Sequence, residues 1–184
     1  MKIIPLPISD VFVVEQPSFG DNRGAFIETY SEAKWRGARL PALNFVQDNM
    51  SLSRLEGTVR GLHYQLGPNA QAKLISVVRG RILDIAVDIR RGSTTFGKHV
   101  GWELSGFSGQ QLFIPQGFAH GFVTLEPDTI VAYKVSAPYD PPAERGIAWS
   151  DPALSIAWGI TERDAVLSEK DTKWPALAQA EIFE

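Results

Sequence analysis

Three histidines, His63, His99 and His120, and no cysteine make up the chain's stock of imidazole and thiol. That stock narrows the chemistry. Without thiols there are no disulfides, no cysteine nucleophiles and no cysteine-ligated zinc or iron-sulfur centres. A catalytic metal site needs about three protein ligands around one open position. His99 shares strand parity with Gly101 and Glu103, opposite Val100, Trp102 and Leu104, so it is expected to face solvent and only two inward histidines remain. In Gly61-Leu62-His63-Tyr64-Gln65 a glutamine stands where a second histidine two residues on would chelate, which disfavours a mononuclear metal. An imidazole without a metal is an acid or base, since its unperturbed pKa of about 6.5 lets it accept a proton at neutral pH. His63 is the stronger candidate because Arg60, Tyr64 and Gln65 surround it; the plain alternative is a core histidine bonded to backbone. Asp171, in Leu167-Ser168-Glu169-Lys170-Asp171, could orient its ring, or could form a helix capping box with Ser168. Both readings stand at this level.

Strand patterns must position these groups. Short β-branched or aromatic stretches recur between Gly and Pro punctuation over residues 11–14, 24–30, 45–51, 74–78, 81–90, 111–114, 120–125 and 129–135. This is an all-β sequence with the spacing of a sandwich or barrel. Helical pattern is confined to Ser31 to Gly37 and to a C-terminal stretch from Pro175 to Phe183. In residues 81–90, Leu83, Ile85, Val87 and Ile89 alternate against Asp84 and Asp88.

Elsewhere polar residues share parity with large apolar ones: Glu28 with Phe26 and Tyr30, Gln47 and Asn49 with Phe45, Lys73 with Ile75 and Val77, His120 with Phe122, and Tyr133 with Val131 and Val135. Any one of them alone is read as a bonded core polar group or a parity slip at a bulge. Together they describe a solvated pocket, because burying an unpaired charge costs several kcal/mol and a domain is stable by only about 5–15 kcal/mol.

The 184 residues, 44% hydrophobic and 21% charged, suit a single domain over 1–184 that folds by burying a core. With 18 basic and 21 acidic residues there is no broad positive field for nucleic acid or anionic lipid, although a few arginines can still hold a phosphate. No run of about 18 apolar residues is present, and Pro5 and Pro7 interrupt the apolar start, so neither a membrane span nor a signal peptide is expected and the chain is expected to be cytoplasmic.

Phe19-Gly20-Asp21-Asn22-Arg23-Gly24, Phe45-Val46-Gln47-Asp48-Asn49, Arg60 to Gln65, Pro115-Gln116-Gly117-Phe118-Ala119-His120-Gly121-Phe122 and Leu167 to Asp171 stand in a familiar order. Over nearly its whole length the chain resembles the dTDP-4-dehydrorhamnose 3,5-epimerase family, built on a cupin (jelly-roll) barrel. The resemblance implies inversion, without a cofactor or metal, of carbons flanking the C4 ketone of a dTDP-4-keto-6-deoxyhexose. By position it implies His63 as base, Asp171 as its support, Lys73 as the cation facing the enolate oxygen and Tyr133 as the acid on the opposite face. It also implies sugar-nucleotide contacts from Arg23, Glu28, Gln47, Asn49, Arg60, His120, Glu144 and Lys170, with Arg23 and Arg60 suited to pyrophosphate, and from Phe19, Phe26 and Tyr139 near the nucleoside. It implies a homodimer through exchanged N-terminal strands. Met50, where many relatives carry a polar residue, and Tyr133-Lys134-Val135-Ser136 depart from the usual strings, leaving open whether C3, C5 or both are inverted. A metal-dependent cupin enzyme and a non-catalytic sugar-nucleotide binding module are the rivals.

Overall fold

A computed structural model describes residues 1–38 and 40–184 of the chain. In chain order its strands are β1 (Lys2–Pro5), β2 (Phe12–Glu15), β3 (Ser18–Asp21), β4 (Gly24–Ile27), β5 (Gln47–Ser53), β6 (Val59–Gln65) and β7 (Lys73–Arg79). They continue as β8 (Arg81–Asp88), β9 (His99–Ser105), β10 (Gln110–Ile114), β11 (Phe118–Thr124), β12 (Thr129–Val135) and β13 (Glu144–Gly146). Two large antiparallel sheets result, six strands in the order β1-β2-β10-β7-β12-β5 facing five in the order β13-β6-β11-β8-β9, with β3 and β4 paired apart as a hairpin. This is the jelly-roll sandwich that the sequence predicts, with few and short helices at its edge.

The core lies between the sheets, where Ile75 and Val77 of β7, Ile82 and Ala86 of β8, Leu112 of β10 and Val131 of β12 interlock. A second cluster lies on the outer face of the five-stranded sheet: Leu62, Ile85, Val87 and Ile89 are covered by Ile147, Trp149, Leu154 and Trp158. Residues beyond β13 thus wrap the sheet as a third layer. A third cluster seats Trp35 of helix α1 (Glu32–Gly37) against Phe12, Leu74 and Phe113. Ser31 caps α1, its hydroxyl accepting from the Lys34 N–H at 3.4 Å.

Two expectations need correction. First, β4 stops at Ile27 and pairs only with β3, so the strand does not run to Tyr30 and Glu28 does not face the barrel interior. A two-stranded hairpin has no sheet to lie against, and parity along it says nothing about the core. Second, Pro175 to Phe183 forms only a 3-10 turn at Leu177–Gln179, because Leu177, Ala180, Ile182 and Phe183 splay into the second cluster and the Tyr64 hydroxyl donates to the Glu181 carbonyl. Tertiary burial overrides local propensity. Along β8, Asp84 and Asp88 alternate with the apolar row as the sequence shows. Both are fully buried, because the wrapping layer covers the side of β8 that carries Ile85 and Val87 and turns Ile82, Asp84 and Ala86 into the barrel.

Candidate active site

Two connecting cavities of about 280 and 390 Å³ open between the sheets, and His63, Lys73 and Tyr133 line both. Ladder register brings them together. His63 on β6 lies opposite His120 on β11, while on the facing sheet Tyr133 pairs with Asn49 and Val135 pairs with both Gln47 and Lys73. Tyr133 and Lys73 are therefore diagonal neighbours on one face, within reach of a common ligand. Imidazole and phenol project from opposite walls. Strands β6 and β11 approach closely because both are glycine at the crossing: a Cβ on Gly61, whose φ is +133°, would sit 2.5 Å from the Gly121 Cα.

His63 Nε2 lies 2.5 Å from Asp171 Oδ1, and Ser168 donates its hydroxyl to Oδ2 at 2.9 Å. The Ser168 hydroxyl also accepts the Asp171 N–H at 3.2 Å, so the capping pattern and the His63 partnership coexist. Burial works to raise the Asp171 pKa, but the bond and charge of His63, with the bonds from Ser168 and Trp174, outweigh it and hold the group below the usual carboxylate range. An ionised Asp171 can only accept, so the Nε2 of His63 carries its proton and Nδ1 is left with a free lone pair.

Lys73 is buried, 9% exposed, and desolvation pulls its pKa down to about 8 against the opposing carboxylates of Asp84 and Glu144. It remains mostly an ammonium at neutral pH, and it lines the cavity. Asp84 stands behind it: Oδ1 binds His120 Nε2 at 2.7 Å, and Oδ2 has no hydrogen-bond partner. Burial lowers the His120 pKa, with Asp84 working against that shift. Burial likewise raises the Tyr133 pKa, so its phenol keeps its proton.

At the mouth, Gln47 donates to Asn49 Oδ1 at 2.7 Å and accepts the Tyr139 N–H at 3.0 Å. The Tyr139 hydroxyl donates to Glu144 Oε2 at 2.8 Å, and Lys170 pairs with Glu144 Oε1 at 2.5 Å. Arg60 reaches β5, bonding the Ser53 hydroxyl and the Leu52 carbonyl, each at 3.2 Å. Of the residues expected in the site, His63, Asp171, Lys73, Tyr133, Gln47, Asn49, Arg60, His120, Glu144, Lys170 and Tyr139 line these cavities.

Four do not. Phe19, Arg23 and Phe26 sit on the β3–β4 hairpin, with Phe19 and Phe26 62% and 68% exposed; Arg23 pairs with Asp21, and Glu28 with Lys34. Arg23 is thus an ion-paired surface residue in this chain. His99 is half-buried and lies outside the cavities. Among the described residues no group of three or more His, Asp or Glu side chains is placed to hold a metal. Sequence reasoning missed Asp84 and Trp174. The first shares parity with Ile82 and Ala86, a usable signal; the second has none until Asp171 is placed.

A jelly roll whose cleft sets an aspartate-supported imidazole against a phenol, with a buried ammonium beside the phenol, is an enzyme scaffold for moving protons at carbon next to a carbonyl. The profile of the dTDP-4-dehydrorhamnose 3,5-epimerase family matches residues 5–179. The chain belongs to that family. A 3,5-epimerase of Sinorhizobium fredii is 49% identical over 96% of this chain and 90% of its own. The Legionella pneumophila enzyme, crystallised with dTDP-4-keto-L-rhamnose, is 42% identical and superposes with a TM-score of 0.92 over 97% of this chain and 93% of its own. ChmJ of Streptomyces bikiniensis, a 3'-monoepimerase solved with dTDP-quinovose, is 32% identical, with a TM-score of 0.87 over 95% and 87%.

Proposed function

We propose that this enzyme inverts C3 and C5 of a dTDP-4-keto-6-deoxyhexose. The observation that carries this reading is the placement of His63 and Tyr133 on opposite walls of one cleft, with Lys73 beside Tyr133. The C4 ketone acidifies the hydrogens on both neighbouring carbons. His63 Nδ1 removes one of them, and Asp171 stabilises the imidazolium that forms. The electron pair moves onto the ketone oxygen, where the Lys73 ammonium meets the enolate; a single donor of this kind is worth about 3–4 kcal/mol elsewhere. Tyr133 then delivers its phenolic proton to the other face of the same carbon. No proton is consumed overall, so His63 and Tyr133 are reset through solvent before the second carbon reacts.

Gln47, Asn49, Arg60, His120, Glu144 and Lys170 line the rest of the cleft and supply hydrogen bonds for the sugar and diphosphate. The exposed hairpin carries an arginine and two phenylalanines with no role in their own subunit. A homodimer in which it reaches the partner's cleft would place Arg23 against the diphosphate and Phe19 and Phe26 near the nucleoside.

Inversion of both carbons is favoured over a single one by the higher identity to the 3,5-epimerases than to the monoepimerase. The test is incubation with dTDP-4-keto-6-deoxyglucose in D₂O, read carbon by carbon by NMR. Deuterium at C3 and C5, abolished by His63→Ala, is expected. Label at one carbon would make it a single-site epimerase, and an unlabelled sugar would refute the reading for this substrate.

A further inference from the structure

Asp171 Oδ1 serves two donors. His63 Nε2 approaches at 2.5 Å, and Trp174 Nε1 donates to the same oxygen at 3.2 Å. The indole lies edge-on to the imidazole, with ring centroids 6.0 Å apart and planes at 68°. Its seat is specific. Gly146 is the register partner of His63 across β13 and β6, and a Cβ there would overlap the indole carbons Cγ, Cδ2 and Cε2. Lys170 sets its ammonium 5.7 Å from the centre of the same ring. The indole thus fills the space beside His63 that the absent side chain leaves, and its only ring donor points at the dyad.

We propose that Trp174 is a positioning residue that tunes His63 by sharing Asp171 Oδ1. A second donor on that oxygen draws off part of its negative charge, so the carboxylate supports the imidazolium less strongly than it would alone. The base stays neutral to lower pH as a result. Trp174 also fixes the carboxylate plane, since Oδ1 is held by two rings and Oδ2 by Ser168. The role in catalysis rests on the epimerase reading; the effect on His63 does not.

The other charged or titrating groups that face His63 are Arg60 on its own strand, Lys73 on β7, His120 on β11 with Asp84 behind it, Tyr133 on β12, Tyr139 in the loop that follows, Glu144 on β13 and Lys170 beside Asp171. Trp174→Phe leaves all of them in place and keeps an aromatic face for Lys170 and for Gly146. Only the donor is lost.

The experiment follows the His63 ring by NMR as pH is varied in substrate-free protein, assigned by comparison with His63→Asn, alongside the acid limb of kcat/KM for deuterium exchange. In Trp174→Phe the titration midpoint and the acid limb both move up by about half a unit to one unit, less than the roughly one to two units that the whole of a hydrogen bond to a charged group would give, because the indole acts on His63 through the carboxylate they share. A midpoint that coincides with wild type overturns the proposal, because a packing role alone lowers stability without moving it. Should the Phe variant fail to fold, Trp174→Leu gives the same readout. If the wild-type protein exchanges no deuterium, the epimerase reading fails while the NMR titration still decides the part played by Trp174.

Discussion

The burial of Lys73 predicts that its charge costs the fold stability, and by how much. Desolvation takes its pKa from 10.5 to about 8. At about 1.36 kcal/mol per unit, holding the ammonium there at neutral pH costs about 3 kcal/mol relative to the unfolded chain. The sign follows from proton counts. Between pH 8 and pH 10.5 the unfolded chain keeps the lysine proton and the folded chain has released it, so stability due to this group rises with pH across that window and is lost on descending through it. Lys73→Met, of similar length and without charge, has no such window. Urea unfolding of both proteins at equal concentration, at pH 7 and again at pH 10.5, should show the wild type gaining about 3 kcal/mol on the variant. Tyrosines and other groups that titrate there cancel in the subtraction. A gap that stays constant within about 1 kcal/mol would sink the claim that this lysine is held charged against desolvation. The same substitution should lower kcat by about 10²- to 10³-fold, the size of losing one donor to an oxyanion. Stability and activity would then move in opposite directions at neutral pH.

Tyr133→Phe should retain deuterium exchange within about tenfold of wild type while formation of inverted product falls by about 10²- to 10⁴-fold, both followed by NMR in one sample; equal losses would contradict its place as the second-face acid. Gly146→Ala should lower the unfolding free energy by about 1–3 kcal/mol through collision with the indole, and adding Trp174→Ala should relieve part of that loss in a double-mutant cycle. Strict additivity of the two would place the indole elsewhere. Replacing Phe19 and Phe26 together by serine should convert a dimeric sedimentation mass to a monomeric one, whereas an unchanged mass would show that the hairpin is not part of an interface.

Alternation along strands was enough to find most of the cleft. Lys73, Tyr133 and His120 share parity with buried apolar neighbours, Gln47 and Asn49 with the partly buried Phe45, and the facing sheets bring all five to the cleft. On β8 alternation alone does not say which row faces the cleft. That strand is covered on both sides: Ile85 and Val87 pack under the C-terminal wrap, and Asp84 lies on the other side, bonded to His120. Only the position of the covering layer assigns Asp84 to the cleft. The hairpin misled for the opposite reason: Glu28 and Phe26 have the right parity, but β4 pairs with β3 alone and faces no core of its own subunit. Asp171 was found by motif and Trp174 was not, because a contact made across the third layer leaves no period in the local sequence.

The wrap that hides one side of β8 also delivers Asp171 to a histidine 108 positions earlier in the chain. The two sheets are built from strands that precede this layer in the chain, whereas the layer itself brings Ser168, Lys170 and Asp171 to the cleft. A local opening of the outer coat would part His63 from Asp171 while the ladders among β1 to β12 stay paired, so loss of activity ahead of loss of β-structure is the expected sign of that opening.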